Sequence, residues 1–261
     1  MSDLVEEVAA AISINQINYA VMMITPDDIK DFITGFLFTE QIIEQAYDIH
    51  DWQIDSHELG LNIDVTLANR CMYKFASKKR ALRGTSGCGI CGTQALEQAF
   101  PALTALPACK PYRINNAPQL KNHLTAHQLK AQQSGALHAA FWLDSNNQIL
   151  ACREDIGRHN ALDKLIGYIQ QVPVKPETLA KQALLVTSRC STELIQKAVK
   201  VGIPTLISLA SPSQLAVKLA KQYGLNLIHI PRQDEPNYYY ACQTAHLPMA
   251  KQFQQNPRAA L

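Results

Sequence analysis

Charge of either sign is scarce in this chain: 18% of its 261 residues are Asp, Glu, Lys or Arg, and they leave a net charge of +2. Nucleic-acid binders concentrate positive charge on one face, so no nucleic-acid partner is expected. Long apolar runs are missing too. None approaches the ~18 residues that a membrane span needs, so no membrane partner is expected either. The opening MSDLVEEVAA is acidic and lacks the basic and apolar regions of a signal peptide. The expectation is a cytoplasmic protein, in a compartment that keeps thiols reduced. Repeats and low-complexity segments are absent. So is a second C-x-x-C. The seven cysteines (Cys71, Cys88, Cys91, Cys109, Cys152, Cys190 and Cys242) are odd in number and scattered, which argues against a disulfide framework.

What is present is an ordinary soluble balance, 47% hydrophobic, on a chain long enough for one large domain or one plus a smaller one. Residues 12–23 read as a hairpin turning near Asn15-Gln16, although the usual Gly is missing. A helix follows, with Thr25 as the expected cap, Pro26 at its first position, and Ile29, Phe32, Ile33, Phe36 and Leu37 on one face. LNIDVTLAN (61–69) alternates apolar and polar and predicts a half-buried strand. SKKRALR (77–83) reads as a basic, solvated joint, and the proline-rich 101–118 as an irregular crossing. A second hairpin is expected over 136–154, then a helix carrying Leu162, Leu165, Ile166 and Ile169. The last third alternates strand and helix: ALLVTS, a helix capped by Ser191 and stopped by Gly202, IPTLISLA, a helix capped by Ser211 and stopped by Gly224, then LNLIHI. Short connections of that kind imply a parallel sheet. Ligands of such sheets bind beyond the carboxyl ends of the strands. Arg189 and Arg232 stand at two of those three ends, where a guanidinium can grip phosphate.

The chemistry-bearing stretch is RGTSGCGICGT (83–93), with Cys88 and Cys91 among Gly84, Gly87, Gly89 and Gly92. Three uses stay open on the residues alone. Structural zinc needs four ligands, and neither a second cysteine pair nor well-placed histidines supply them, so no metal site is expected. Disulfide exchange suits a C-x-x-C that opens a helix; TQALEQAF follows, but the glycine-rich loop is compliant. Sulfur carriage needs an accessible thiolate on a mobile segment. Glycine supplies mobility, and nearby Lys78, Lys79, Arg80 and Arg83 favour the thiolate.

SGCGICG (86–92), REDIGRHNALDKLIG (153–167) and TSRCSTELIQKA (187–198) resemble the FdhD family of formate dehydrogenase accessory sulfurtransferases. TPDDIKDFITGFLFTEQII (25–43) and SGALHAA (134–140) are similar to family segments as well, and the resemblance runs in order from about residue 10 to 240. It implies an α/β fold, a cytidine-deaminase-like α/β/α sandwich over 77–261 with a smaller N-terminal α+β domain over 1–76. It implies a sulfurtransferase that takes sulfur from a cysteine desulfurase as a persulfide. The sulfur goes to the bis-molybdopterin guanine dinucleotide molybdenum cofactor, bound as substrate and mimicked by GDP or GMP, before that cofactor enters the formate dehydrogenase apoprotein. A homodimer is implied too. The persulfide cysteine maps onto Cys88 and its companion onto Cys91. The cofactor-contacting loop maps onto Ile230, Pro231, Arg232, Gln233, Asp234 and Glu235, where a carboxylate of Asp234 or Glu235 suits a guanine edge. Gly157 predicts a tight turn that lets Arg158 hold phosphate, Asn160 meet a pterin or guanine edge, and His159 deprotonate Cys88 or steady a terminal sulfur. The competing expectation for Asp163 and Lys164 is a charge network bracing a helix, and for His138 simple packing. A chaperone that only holds the cofactor, or a zinc or thiol-disulfide C-x-x-C protein, are the alternatives to a sulfurtransferase.

Overall fold

Asn15 and Gln16 both adopt left-handed φ values, 47° and 64°, which gives the hairpin the twist its strands need without a glycine. Tertiary bonds hold the turn. Asn15 Oδ1 accepts the Leu67 N–H at 2.9 Å, and the Gln16 N–H donates to Asp64 Oδ1 at 2.8 Å. The hairpin strands are β1 (Val8–Ile14) and β2 (Ile17–Ile24). The computed structural model describes residues 4–58, 60–83, 101, 103–233 and 235–240. β1 also pairs in parallel with β4 (Gly60–Leu67), which is antiparallel to β3 (Ile49–His57), so the first sheet runs β2-β1-β4-β3. Ile12, Ile14, Ile63 and Val65 alternate onto one face and bury against Phe32, Ile33, Phe36 and Leu37 of α1 (Ile29–Thr39) and Cys71 and Phe75 of α2 (Asn69–Arg83).

Two expectations need correcting here. SKKRALR is no joint but the second half of α2. From 69 to 83 the chain has no Gly or Pro and is rich in good helix formers, so the helix continues; it runs through the domain boundary expected at residue 76. Thr25 does not cap α1, which starts three residues beyond Pro26, after Asp28 in the left-handed region at φ 51°. Thr25 is drawn elsewhere. Its N–H donates to Asp155 Oδ2 at 3.0 Å, its hydroxyl accepts from Ile156 N at 3.1 Å, and its carbonyl accepts Lys164 Nζ at 2.9 Å.

The second sheet holds six strands in the order β10 (Asn237–Tyr240), β9 (Asn226–His229), β8 (Thr205–Ala210), β7 (Ala183–Arg189), β5 (His138–Leu143) and β6 (Ile149–Asp155). Before it come an irregular 103–116, as the prolines imply, and the helices α3 (Ala117–His127) and α4 (Leu129–Ser134). The expected hairpin is β5 (His138–Leu143) with β6 (Ile149–Asp155), antiparallel. Then follow α5 (Arg158–Gln171), the short α6 (Pro176–Leu179), β7 (Ala183–Arg189), α7 (Thr192–Val201), β8 (Thr205–Ala210), α8 (Gln214–Tyr223), β9 (Asn226–His229) and β10 (Asn237–Tyr240). β7, β8 and β9 are parallel, as expected. Side chains alternate strictly across the sheet. Ala140, Trp142, Leu184, Val186, Leu206 and Leu227 pack under α5, α7 and α8, while Phe141, Leu143, Leu185, Ile207 and Ile228 pack against Tyr112, Leu120 and Leu124. Helices thus cover both faces, and the fold class is α/β. Gly202 and Gly224 end α7 and α8 in the left-handed region. The cap of α8 is Ser213, not Ser211: the Ser213 N–H is tied to Cys190 O at 3.1 Å, which keeps 211–212 extended, and its Oγ accepts from Ala216 N at 3.1 Å.

α1 crosses α5 at closest approach through two glycines. A Cβ on Gly35 would lie 1.8 Å from the Asp163 carbonyl oxygen, and one on Gly167 would lie 1.8 Å from that of Asp31. The two sheets' cores are joined by this crossing.

Candidate functional site

The carboxyl ends of β6, β7, β8 and β9 lie along one edge of the large sheet, and the start of β5 joins them because β5 runs the other way. Each of the first three strands passes there into a helix: β6 into α5 through Gly157, β7 into α7 through Ser191, β8 into α8 through Ser213. Three positive helix ends therefore meet at one edge.

That edge is also where hydrogen bonding fails. Among the described residues, four buried side-chain polar atoms make no hydrogen bond: His159 Nε2, Ser191 Oγ, Ser208 Oγ and His229 Nδ1. All four sit at this edge. Leaving a buried polar group unpaired costs about 1–3 kcal/mol, so such a cluster marks a candidate site. Ser191 stands at the cap position the sequence gives it, yet its hydroxyl makes no cap bond. Ser208 and His229 were not legible as candidates; their only signal is a polar residue at the carboxyl end of an otherwise apolar strand.

The block Arg153–Lys164 divides in two. One part is bracing. Asp155 and Lys164 form an ion pair at 2.8 Å with both side chains wholly buried. Asn160 donates to Met23 O at 2.8 Å and to Asp155 Oδ1 at 3.0 Å, so its N–H donors are spent inside the protein. Asp163 is fully buried, holding Lys197 Nζ at 2.8 Å from both carboxylate oxygens and the Thr39 hydroxyl at 2.8 Å. Arg153 pairs with Asp31 at 2.7 Å, and Glu154 caps α4 through the Lys130 and Ala131 N–H groups at 3.1 and 2.9 Å.

The other part faces the edge. Arg158 is exposed at the start of α5. His159 is half-buried, and burial together with the cations of Arg158 and Lys197 pushes its pKa down to about 4. Glu193 Oε2 lies 3.1 Å from Nε2 without making a hydrogen bond. A ring that stays neutral at pH 7 with so low a pKa is a weak base, which suits it to hydrogen-bond an anion rather than to take a thiol proton. His138 sits opposite Asp155 on β5, and burial with Arg158 lowers its pKa too.

Arg189 is exposed at the end of β7. In the loop after β9, Ile230 is core: it is fully buried and its N–H bonds Ser208 O at 2.9 Å. Lys121 on α3 clamps the next two carbonyls, those of Pro231 and Arg232. Arg232, Gln233 and Glu235 are exposed. Cys88, Cys91, Asp234 and the helix expected over 93–100 lie outside the described residues. The thiols that are described do not suit nucleophilic work. Burial pushes Cys152 and Cys190 up to about 12 and raises Cys71, and Cys109 Sγ accepts from Asn226 Nδ2 at 3.3 Å. Among the described residues no three His, Cys, Asp or Glu side chains gather as a metal site, and no helix is long and apolar enough to cross a membrane.

An α/β sheet with unsatisfied polar atoms and flanking arginines at its carboxyl edge defines a candidate ligand site with a cationic rim. Comparison with known proteins narrows the class. Residues 5–245 match the model of the FdhD/NarQ family. The chain is 36% identical over 225 residues to the sulfur carrier protein FdhD of Cupriavidus necator, covering 86% of this chain and 77% of that one. It is 38% identical over 238 residues to the protein of the same name from Acinetobacter baylyi, covering 88% and 83%. A candidate formate dehydrogenase accessory protein from Desulfotalea psychrophila has a similar crystal structure, with a TM-score of 0.63 and 25% identity over 90% of this chain and 87% of that one. The chain belongs to the FdhD/NarQ family.

Proposed function

We propose that this chain is a sulfurtransferase: it carries sulfur on Cys88 and delivers it to a molybdenum cofactor held at the carboxyl edge of the large sheet. In the first step the Cys88 thiolate attacks the outer sulfur of a cysteine desulfurase persulfide. An S–S bond forms on Cys88, the desulfurase S–S bond breaks, and the desulfurase leaves as a thiolate. In the second step the Cys91 thiolate attacks Cys88 Sγ. The outer sulfur leaves as sulfide, reduced by two electrons, and the two cysteines are oxidised to a disulfide. The sulfide goes to the metal of the bis-molybdopterin guanine dinucleotide cofactor, which is the substrate and passes afterwards to formate dehydrogenase.

The observation that carries this reading is the set of four unpaired polar atoms at one strand edge. They lie beside Arg158, Arg189 and Arg232, in a chain whose relatives are named sulfur carriers. The raised pKa values of Cys71, Cys152 and Cys190 support it as well, because they set those three buried thiols aside as nucleophiles. In this reading Arg158, Arg189 and Arg232 neutralise phosphate, His159 hydrogen-bonds the anionic sulfur, and Asp234 or Glu235 meets the guanine edge. Work in the cytoplasm as a homodimer is part of the same proposal.

The test is to incubate the protein with a cysteine desulfurase and free cysteine, then map added sulfur by non-reducing peptide mass spectrometry. One added sulfur on the 84–92 peptide, lost in Cys88→Ala, is the expected result. No sulfur on either cysteine would reduce the protein to a holder of the cofactor.

A further inference from the structure

Ile12, Ile14, Ile63 and Val65 turn one face of the first sheet to α1 and α2. By alternation Ala9, Ala11 and Ser13 of β1, Val21 and Met23 of β2, and Asn62 and Asp64 of β4 turn to the other face. The register sets them in rows. Val21, Ala11, Asn62 and Asp55 lie side by side across the four strands, and Asn18, Ser13, Asp64 and Gln53 form the next row. Short side chains on the middle strands leave a trough of about 630 Å³, lined by Ala11, Ser13, Val21, Asp55, Asn62 and Asp64. Its two walls differ. On the β2 side Val21 is 67% and Met23 49% exposed, and the strand INYAVMMI carries no charge. On the β3 side Asp51 and Asp55 are exposed and make no ion pair among the described residues. Asp64 Oδ1 accepts the Gln16 N–H at 2.8 Å, and no described cation pairs with it. The imbalance extends to the whole unit. Residues 4–67 hold twelve Asp and Glu against one basic side chain, Lys30, in a chain whose net charge is +2. The strands β1 to β4 contain no Lys or Arg at all. An apolar strip beside unopposed carboxylates complements a surface with apolar and cationic strips in the same arrangement.

We propose that this open face of the first sheet docks a cationic amphipathic helix of a partner protein. The apolar stripe of the helix lies on Val21 and Met23, and its Lys or Arg flank meets Asp51, Asp55 and Asp64. β2 and β3 are three strand spacings apart, about 14 Å, and a helix with its side chains is about 10–12 Å wide. A helix therefore fits over the short side chains of Ala9, Ala11 and Ser13 with both walls in reach. A strand added at the edge of β2 would meet the apolar wall alone, because Asp55 lies three strands beyond β2. None of the residues at the carboxyl edge of the large sheet takes part, so the docking face stands whether or not the chain carries sulfur.

The test is titration of the full chain with an amidated peptide of Leu and Lys at helical spacing, about 14 residues long, and with its counterpart in which Glu replaces every Lys. The Lys peptide is expected to bind at least tenfold more tightly than the Glu peptide and to gain helical circular dichroism as it binds. Asp55→Lys is expected to weaken it at least tenfold, and so is the double variant Val21→Ser with Met23→Ser. All three positions are exposed, so each variant is expected to melt near the wild-type temperature. Glu177→Lys makes the same change in net charge on α6, away from this face, and is expected to leave binding within twofold. No binding by wild type, equal weakening by Asp55→Lys and Glu177→Lys, undiminished binding in the double variant, or binding without a gain of helix overturns the proposal. So does a dimer in sedimentation that the double variant splits into monomers, since the face would then be taken by a second copy of the chain.

Discussion

At the scale of single residues, the molecule uses charge in two opposite ways. Lys197 and Asp163 are fully paired in the interior. Burial drives the Asp163 carboxyl up, and the Lys197 ammonium pulls it partly back. Lys197→Met strands a buried carboxylate and is expected to destabilise the fold by about 3–5 kcal/mol, whereas Lys197→Met with Asp163→Leu regains most of that loss. Urea unfolding of the three variants checks it. His159 shows the reverse: it is kept neutral. Its folded pKa of about 4 is below the ordinary histidine value, so between pH 6.5 and 4 the unfolded chain binds the proton first. Stability is expected to fall as pH drops through that window. His159→Gln is expected to flatten the fall, measured by melting temperature against pH. His138 and His229, with pKa values also lowered, add to the same slope. Residues of this kind were the least legible in the sequence. A serine in TLISLA and a histidine in NLIH look like ordinary strand residues, because an unpaired polar atom is a property of the surroundings.

At the scale of elements, the α1–α5 crossing sets the tolerance to change. Gly35→Ala and Gly167→Ala each drive a methyl group into a backbone carbonyl that cannot swing aside. Each is expected to destabilise by about 3 kcal/mol, the upper range for overpacking. Gly135→Ala is the contrast: its Cβ would meet nothing within 4 Å, and only the left-handed φ of 70° is at stake, about 1 kcal/mol. Chemical denaturation of the three proteins ranks them. The strands, helices and glycine stops of the last third were legible because their signals are local. The helix starts were less so. Thr25-Pro26 and Ser211-Pro212 both carry good cap chemistry, yet one serves Asp155 and Lys164 and the other is displaced by the Cys190–Ser213 bond. Partners far away in sequence overrode the local preference.

At the scale of the whole molecule, the first sheet and the second are bound together by more than contact. Thr25, Thr39, Asp31 and Met23 of the first part bond Asp155, Asp163, Arg153 and Asn160 of the second. The chemistry at the strand edge and the bracing of the N-terminal part come from one sequence block, with alternate duties for neighbouring residues. The helix α2 runs across residue 76, and these bonds tie the residues before it to those of the second sheet. A fragment of residues 1–76 is therefore expected to stay unfolded by circular dichroism, since it cuts α2 and removes all of α5. The family resemblance made the α/β class readable in advance, but nothing local in the sequence tells that α1 and α5 touch.

That same crossing has a consequence in time. Thr25 meets Asp155 across 130 residues. A ribosome adding about 5–20 residues per second leaves the first part waiting on the order of ten seconds for its cover. During that interval the glycine face of α1 lies open in the nascent chain, and any product released before Gly167 is made can never close it. Incomplete chains of this protein are therefore expected to keep that face exposed, which limited proteolysis of chains ending before Gly167 checks.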